Sequence, residues 1–264
     1  RDKTTRRDKP MKEVLIISGK GGTGKTTVAS SLAKLMDNKI IADTDVDAAD
    51  MYIMLNPEKV EEHSFKGRSK AVIDQSKCSR CGLCSKKCRF DAIDNINGMY
   101  IVNTYACEGC TLCKEVCPAD AVNMEEEEAG KWFISETAQG MLVHARLNPG
   151  AENSGNLVSM VKHQAKSLAK KQNKRMILID GPPGIGCPVT SSLSGADIVL
   201  IVTEPTVSGR SDLERVIEVA GHFEPEIAVI INKYDINSKV SEEIETYLQA
   251  RNIRVIAKIP YDEN

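Results

Sequence analysis

The stretch Ser18-Gly19-Lys20-Gly21-Gly22-Thr23-Gly24-Lys25-Thr26-Thr27 follows directly on the apolar run Val14-Leu15-Ile16-Ile17. An apolar strand, a glycine-rich turn and a helix-compatible Val28 to Met36, in that order, are what a phosphate-binding loop requires. The glycines let the backbone wrap so that successive N–H groups face phosphate oxygens, and a helix beginning near Lys25 adds the positive end of its dipole. The expected nucleotide contacts are Gly21, Gly22, Thr23, Gly24, Lys25, Thr26 and Thr27. Lys25 is placed to reach the terminal phosphates, and the Thr26 hydroxyl to ligate Mg2+.

Further apolar segments are spaced as strands of an α/β sheet. Lys39-Ile40-Ile41-Ala42 ends in Asp43-Thr44-Asp45, and Arg175 to Asp180 ends in an aspartate followed by Gly181-Pro182-Pro183-Gly184-Ile185-Gly186. Carboxylates at the carboxyl ends of parallel strands face the ligand crevice of open α/β sheets. Asp180 is therefore expected at the magnesium's water shell, with the loop after it near the γ-phosphate. Asp197 to Thr203, Glu226 to Ile231 and Ile253 to Ile259 read as three more strands. Asn153 to Gln172, Ser211 to Gly221 and Ser241 to Ala250 read as helices. Trp132 to Ser135 and Met141 to Ala145 read as a hairpin returning to the sheet, with His144 a packed strand residue.

From about Lys66 the pattern breaks. Cys78, Cys81, Cys84 and Cys88 form CxxCxxCxxxC, and Cys107, Cys110, Cys113 and Cys117 repeat it. The echo extends beyond the cysteines, because Cys88-Arg89-Phe90-Asp91-Ala92-Ile93 parallels Cys117-Pro118-Ala119-Asp120-Ala121-Val122, so the segment reads as an internal duplication. This spacing lets three thiolates wrap one cuboidal iron–sulfur cluster while the fourth ligates the other, as in two-cluster ferredoxins. The expected sets are Cys78, Cys81, Cys84 and Cys117 for one 4Fe-4S cluster, and Cys88, Cys107, Cys110 and Cys113 for the second. Zinc is the rival metal, but it gives no reason for the CxxxC ending. The ninth cysteine, Cys187, has no partner at ligand spacing and is expected to be buried. The acidic run Glu125 to Glu128 is expected to be a solvated turn.

Eight of nine cysteines in two tight clusters, in a 264-residue chain with no secretory signal, point to metal in a reducing, cytoplasmic compartment. A net charge of -2 gives no sequence-independent hold on nucleic acid, and a single tryptophan, Trp132, argues against base-stacking platforms. No apolar run has the length of a membrane span. Arg1 to Pro10 is charged and precedes Met11, which leads into the first strand; it is expected to be a leader outside the fold.

Lys20, five residues before Lys25, makes the loop KGGTGKT, which resembles the deviant phosphate-loop ATPases: the MinD, ParA and Mrp proteins and the nitrogenase iron protein. The resemblance implies that Lys20 acts on phosphates across the interface of an ATP-dependent homodimer. It also implies that Asp43 and Asp45 are the switch aspartates that position magnesium's waters and the attacking water. Asn232 of Asn232-Lys233-Tyr234-Asp235 would read adenine, although the same NKxD string serves guanine-specific enzymes. Ile259-Pro260-Tyr261-Asp262 is similar to the family's IPYD segment, and a helix is expected beyond it.

The fold expected is a P-loop α/β domain, 11–65 and 126–264, with a mostly parallel sheet flanked by helices and an inserted α+β two-cluster ferredoxin domain, 66–125. The function expected is an ATPase whose nucleotide state is coupled to electron transfer or metallocluster assembly on a partner protein. Two alternatives share the nucleotide site: a MinD-like spatial-organisation ATPase with structural clusters, and an Mrp-type cluster carrier.

Overall fold

The structure is a computed structural model describing residues 11–151 and 154–262; residues 1–10, expected to be a leader, lie outside the described residues. In chain order the elements are β1 (Lys12–Ser18), α1 (Lys25–Leu35), β2 (Lys39–Asp43), α2 (Met51–Leu55), β3 (Glu58–Ile73), α3 (Leu83–Lys87), β4 (Ile93–Ile96), β5 (Met99–Val102), α4 (Leu112–Glu115), β6 (Val122–Thr137), β7 (Gly140–Leu147), α5 (Ser154–Lys171), β8 (Met176–Pro183), α6 (Cys187–Leu193), β9 (Ile198–Thr203), α7 (Val207–Gly221), β10 (Glu226–Asn232), α8 (Ser238–Gln249) and β11 (Arg254–Ile259). They form two compact units. Among the described residues, the first takes 11–63, 132–146 and 154–262, the second 64–131 and 147–151.

The first unit is organised by a sheet in which the strands run β11-β10-β9-β1-β8-β2-β7. Every neighbouring pair from β11 to β7 is parallel. Parallel strands covered on both faces read as continuous apolar runs, and Leu15, Ile16 and Ile17 of β1 and Ile177, Leu178 and Ile179 of β8 are all fully buried. Because β1 lies centrally between β8 and β9, its carboxyl end opens where the strand order reverses, the usual ligand crevice of such sheets.

Helices α7 and α8 are amphipathic and capped by side chains. Val240, Ile244 and Leu248 repeat every four residues on the buried face of α8. The Asn237 side chain caps its start by accepting from Val240 N at 3.2 Å, and Thr206 does the same for α7 from Gly209 N at 2.9 Å.

Two expectations are corrected. Glu125 to Glu128 is not a turn but part of the 16-residue strand β6. It stays exposed, and Lys66 of β3 meets Glu126 at 2.7 Å while Ser64 donates to Glu128; such cross-strand pairs hold an otherwise unfavourable sequence extended. Cys187 is exposed, not buried, at the start of α6.

The second unit has a small core of Ala71, Ile73, Ala92, Ile93 and Val122 into which Cys84 and Cys107 also pack. Its hairpin β4–β5 is antiparallel and turns through Asn97 and Gly98, whose φ values of 53° and 83° are those of a type I′ turn.

Candidate nucleotide site and cysteine module

The loop from Ser18 to Lys25 leaves β1 and enters α1 through Gly24, whose φ of 85° belongs to the left-handed region. A side chain there would also lie 2.3 Å from Asn232 Nδ2, so only glycine serves at this position. Gly181 is needed for a different reason: a Cβ would come within 2.6 Å of Ile17 and 2.9 Å of the Ile16 carbonyl oxygen, because β8 runs tight against β1. Gly184 N then donates to the Ser18 carbonyl at 2.8 Å. The loop after Asp180 is thereby tied to the start of the phosphate loop.

Lys25 is buried. Its ammonium donates to Asp180 Oδ1 at 2.7 Å, touches Thr26 Oγ1 at 3.2 Å and lies 3.6 Å from Asp45 Oδ2. Asp180 sits 1 % exposed with its second oxygen, Oδ2, buried and without a hydrogen-bond partner. Thr23 Oγ1 is likewise buried and unpartnered. Buried polar atoms are nearly always satisfied, so these two mark a place built for something polar. Asp43 is fully buried; its Oδ1 accepts from Asp45 N at 3.1 Å and its Oδ2 from Met51 N at 3.3 Å, which fixes the first amide of α2.

Three carboxylates around one ammonium cannot all ionise cheaply. Burial pushes Asp43 well above the usual carboxylate range, Asp180 adds to the shift, and Lys25 opposes it. Asp45 is raised to about 6 by burial, with Lys25 pulling down and Asp180 pushing up. Asp180 is raised by burial and held back chiefly by Lys25. The site thus carries excess negative character around Lys25, which a divalent cation would offset.

Lys20 does not project freely. Its ammonium meets Glu204 Oε1 at 2.7 Å, Ser208 Oγ at 3.0 Å and Thr206 Oγ1 at 3.3 Å, between the end of β9 and the first turn of α7. Asn232 lies at the end of β10, where its amide donates to the Thr23 carbonyl at 2.8 Å; it braces the phosphate loop. Asp235 Oδ1 accepts from Tyr261 N at 2.8 Å, so the last residue of the NKxD string holds the Ile259-to-Asp262 segment. These two roles had no signal in the sequence beyond the motif itself.

In the second unit, the two cysteine motifs repeat in backbone geometry. Arg80 and Gly109, at matching places, have φ of 57° and 65°; Gly82 and Thr111 have 75° and 66°; Asp91 and Asp120 have 50° and 47°. Left-handed residues are uncommon outside glycine, and three matched pairs extend the duplication from residue types to conformation. One hollow is bounded by Cys88, Cys107, Cys110 and Cys113. Another is bounded by Cys78, Cys81, Cys84 and Cys117. The fourth cysteine of each motif lines the other motif's cavity. Ala121 N donates to Cys117 Sγ at 3.3 Å. The Cys81 thiol is lowered by a hydrogen bond from Leu83 N, then by the Ser79 hydroxyl, whereas burial raises Cys84 and Cys113, again at matching places. Among the described residues, no three His, Cys, Asp or Glu side chains converge closely enough to hold a single metal ion. Nor is any helix among them long and apolar enough to cross a membrane.

The chain is similar to known proteins over most of its length. The uncharacterized protein MJ0578 of Methanocaldococcus jannaschii is 37% identical over 230 residues, covering 86% of this chain and 79% of that one. Among solved structures, the ATP complex of a Cyanothece McdA variant matches with a TM-score of 0.53 at 19% identity, covering 96% of this chain and 84% of that one. The septum site-determining protein MinD with Mg-ADP from Pyrococcus horikoshii matches with a TM-score of 0.51 at 20% identity, over 95% and 82%. At such identities the structures establish a shared fold. The family match runs from residue 14 to 264, from the first buried strand through the aspartate cluster to the segment held by Asp235; on that match, the chain belongs to the CobQ/CobB/MinD/ParA nucleotide binding domain family.

Proposed function

We propose that the chain binds and hydrolyses ATP with Mg2+ and carries two 4Fe-4S clusters, and that its nucleotide state governs electron transfer, or cluster chemistry, with a partner protein. The observation that carries the nucleotide half is the Lys25–Asp180 pair at 2.7 Å beside an unpartnered Asp180 oxygen. Lys25 rests on carboxylates that it can exchange for phosphate oxygens, and the loop amides from Gly21 to Thr27 supply the remaining donors. Thr26 and Asp180, with Asp43 close by, are the oxygens suited to Mg2+, directly or through water. Bound Mg2+ would neutralise charge on the β- and γ-phosphates.

Catalysis then rests on positioning. Asp45, at the mouth of the buried carboxylate group, is the residue to orient the attacking water, and Asp43 fixes Asp45's backbone by accepting its amide. Lys25 stabilises charge on the transferring phosphoryl group, and Lys20, released from Glu204, is available to do so across a homodimer interface. The deviant loop carrying Lys20 favours adenine over guanine as the base, and Asp235 engages Tyr261 N through one oxygen.

For the cysteines, the supporting observation is that each cavity is bounded by one complete quartet of crossed origin. Zinc draws four sulfurs to about 2.3 Å from one point, whereas a cuboidal cluster stands among ligands spread around its body. Held there, such clusters supply one-electron storage at low potential. The chain's own contribution is N–H···S bonding, as from Ala121 to Cys117, and burial of Cys84 and Cys113, the means by which a protein tunes potential.

Anaerobic purification with metal and sulfide counting, together with an ATPase assay, tests the proposal. About eight iron and eight sulfide per chain are expected, with Mg2+-dependent hydrolysis of ATP. Zinc in place of iron overturns the cluster reading; absence of any purine triphosphate binding overturns the nucleotide reading.

A further inference from the structure

A second cavity in the first unit, about 180 Å³ in volume, is lined by Tyr52, Phe133, Ser135, His144 and Arg146 among others. Its walls are aromatic and arranged in register. The His144 ring is stacked on Tyr52 at 5.9 Å and 10°, and on Phe133 at 4.9 Å and 24°. Ser135 Oγ and His144 Nε2 lie 3.2 Å apart on adjacent strands. Arg146, exposed at the edge of the cavity, is the one charged lining residue, and it has no ion pair with any described residue. Burial, followed by the Arg146 charge, depresses His144 to about 4, so the imidazole is neutral at physiological pH.

Cavity size and chemistry bound the occupant. An apolar cavity of about 150 Å³ is large enough for benzene, so this one admits a single six-membered ring with a small substituent. Aromatic walls favour a flat, apolar body. A lone guanidinium at the edge, with a hydroxyl and a neutral imidazole nearby, favours an acceptor of one negative charge, which guanidinium binds bidentately when it is a carboxylate. We propose that this cavity is a binding site for a small planar monocarboxylate, its ring against the aromatic wall of Tyr52, His144 and Phe133 and its carboxylate on Arg146.

The place in the fold gives the site consequence. Tyr52 belongs to α2, whose first amide, that of Met51, is held by Asp43. His144 stands directly opposite Asp43 in the β2–β7 register. An occupant therefore packs against the same short helix that Asp43 anchors.

The test is calorimetric titration of the intact chain with sodium benzoate, benzyl alcohol and sodium acetate. Benzoate is expected to bind with a Kd on the order of 1 mM or tighter, the range set by its size. Benzyl alcohol is expected to bind roughly tenfold more weakly for want of the charge-assisted pair, and acetate not measurably. Arg146→Gln, at an exposed position, should remove the preference for benzoate over the alcohol, and Ala49→Leu, which fills the cavity, should abolish both. Absence of benzoate binding, equal affinity for benzoate and benzyl alcohol in the parent chain, or benzoate binding indifferent to both substitutions would each overturn the assignment.

Discussion

The Lys25 ammonium and the Asp180 carboxylate meet at 2.7 Å in a site where both side chains are almost wholly buried. Removing one partner of a buried pair leaves the other uncompensated and costs roughly 3–5 kcal/mol. Lys25→Ala is therefore expected to lower the stability of the nucleotide-free protein by about that much, and to abolish ATP turnover. Iron content and the cluster absorption spectrum should be unchanged. Denaturant titration and a phosphate-release assay read the two effects separately, and surviving hydrolysis would mean that the site lies elsewhere.

Asp45 gives a stability effect with a definite sign. Its pKa rises from an ordinary 3.8 to about 6 on folding, so between these values the native state binds more protons than the unfolded chain and stability falls as pH rises. Above pH 6 the penalty is complete, on the order of 3 kcal/mol for a shift of this size. Asp45→Asn should therefore unfold later than the parent at pH 7 without Mg2+, and the advantage should vanish below pH 4. Paired melts across this range check it.

His144 works in the opposite sense. Its pKa falls from 6.5 to about 4, so the unfolded chain takes up the proton first and stability drops as pH falls from 6.5 through 4. His144→Gln lacks that titration. The parent's advantage over the variant at pH 7 is expected to shrink by about 3 kcal/mol at pH 4. A pH-independent difference would contradict the buried neutral imidazole.

Two glycines of one loop should behave differently. Gly24→Ala meets both a φ of 85° and the Asn232 amide at 2.3 Å, and is expected to cost about 2 kcal/mol or more. Gly21→Ala has nothing within 4 Å of the new methyl and should leave stability within about 0.5 kcal/mol. Chemical unfolding of both variants reads the contrast.

Crossed ligation predicts the pattern of cluster loss. Cys117→Ser lies in the second motif but lines the cavity of Cys78, Cys81 and Cys84. Electron paramagnetic resonance of the reduced variant should show the cluster of the first motif altered and that of the second retained. The reverse pattern would exclude crossing.

The phosphate loop, the central strands and the cysteine spacing were legible because each is a local requirement: an apolar run, a glycine at a left-handed turn, a thiolate at a fixed interval. Strand β3 and the first part of β6 were not, because much of Glu58–Ile73 and the acidic stretch Glu125 to Glu128 carry no apolar face. Their extended form comes from cross-strand partners such as Lys66 and Glu126, and period-two alternation has nothing to report without a core face. The bracing roles of Asn232 and Asp235 follow from packing between distant segments. The cavity beside His144 draws on α2, β6 and β7, a convergence that spacing alone does not encode.

Coupling between nucleotide state and cluster state is the central claim, and thermodynamic linkage makes it measurable without the partner. If the two are coupled, reduction of the clusters must change nucleotide affinity by the same factor by which nucleotide changes the reduction equilibrium. Anaerobic calorimetry of Mg-ATP binding to the oxidised and the dithionite-reduced protein tests this most directly. The account predicts affinities differing by about fivefold or more, the lower range of allosteric coupling; equal affinities in the two redox states would contradict it.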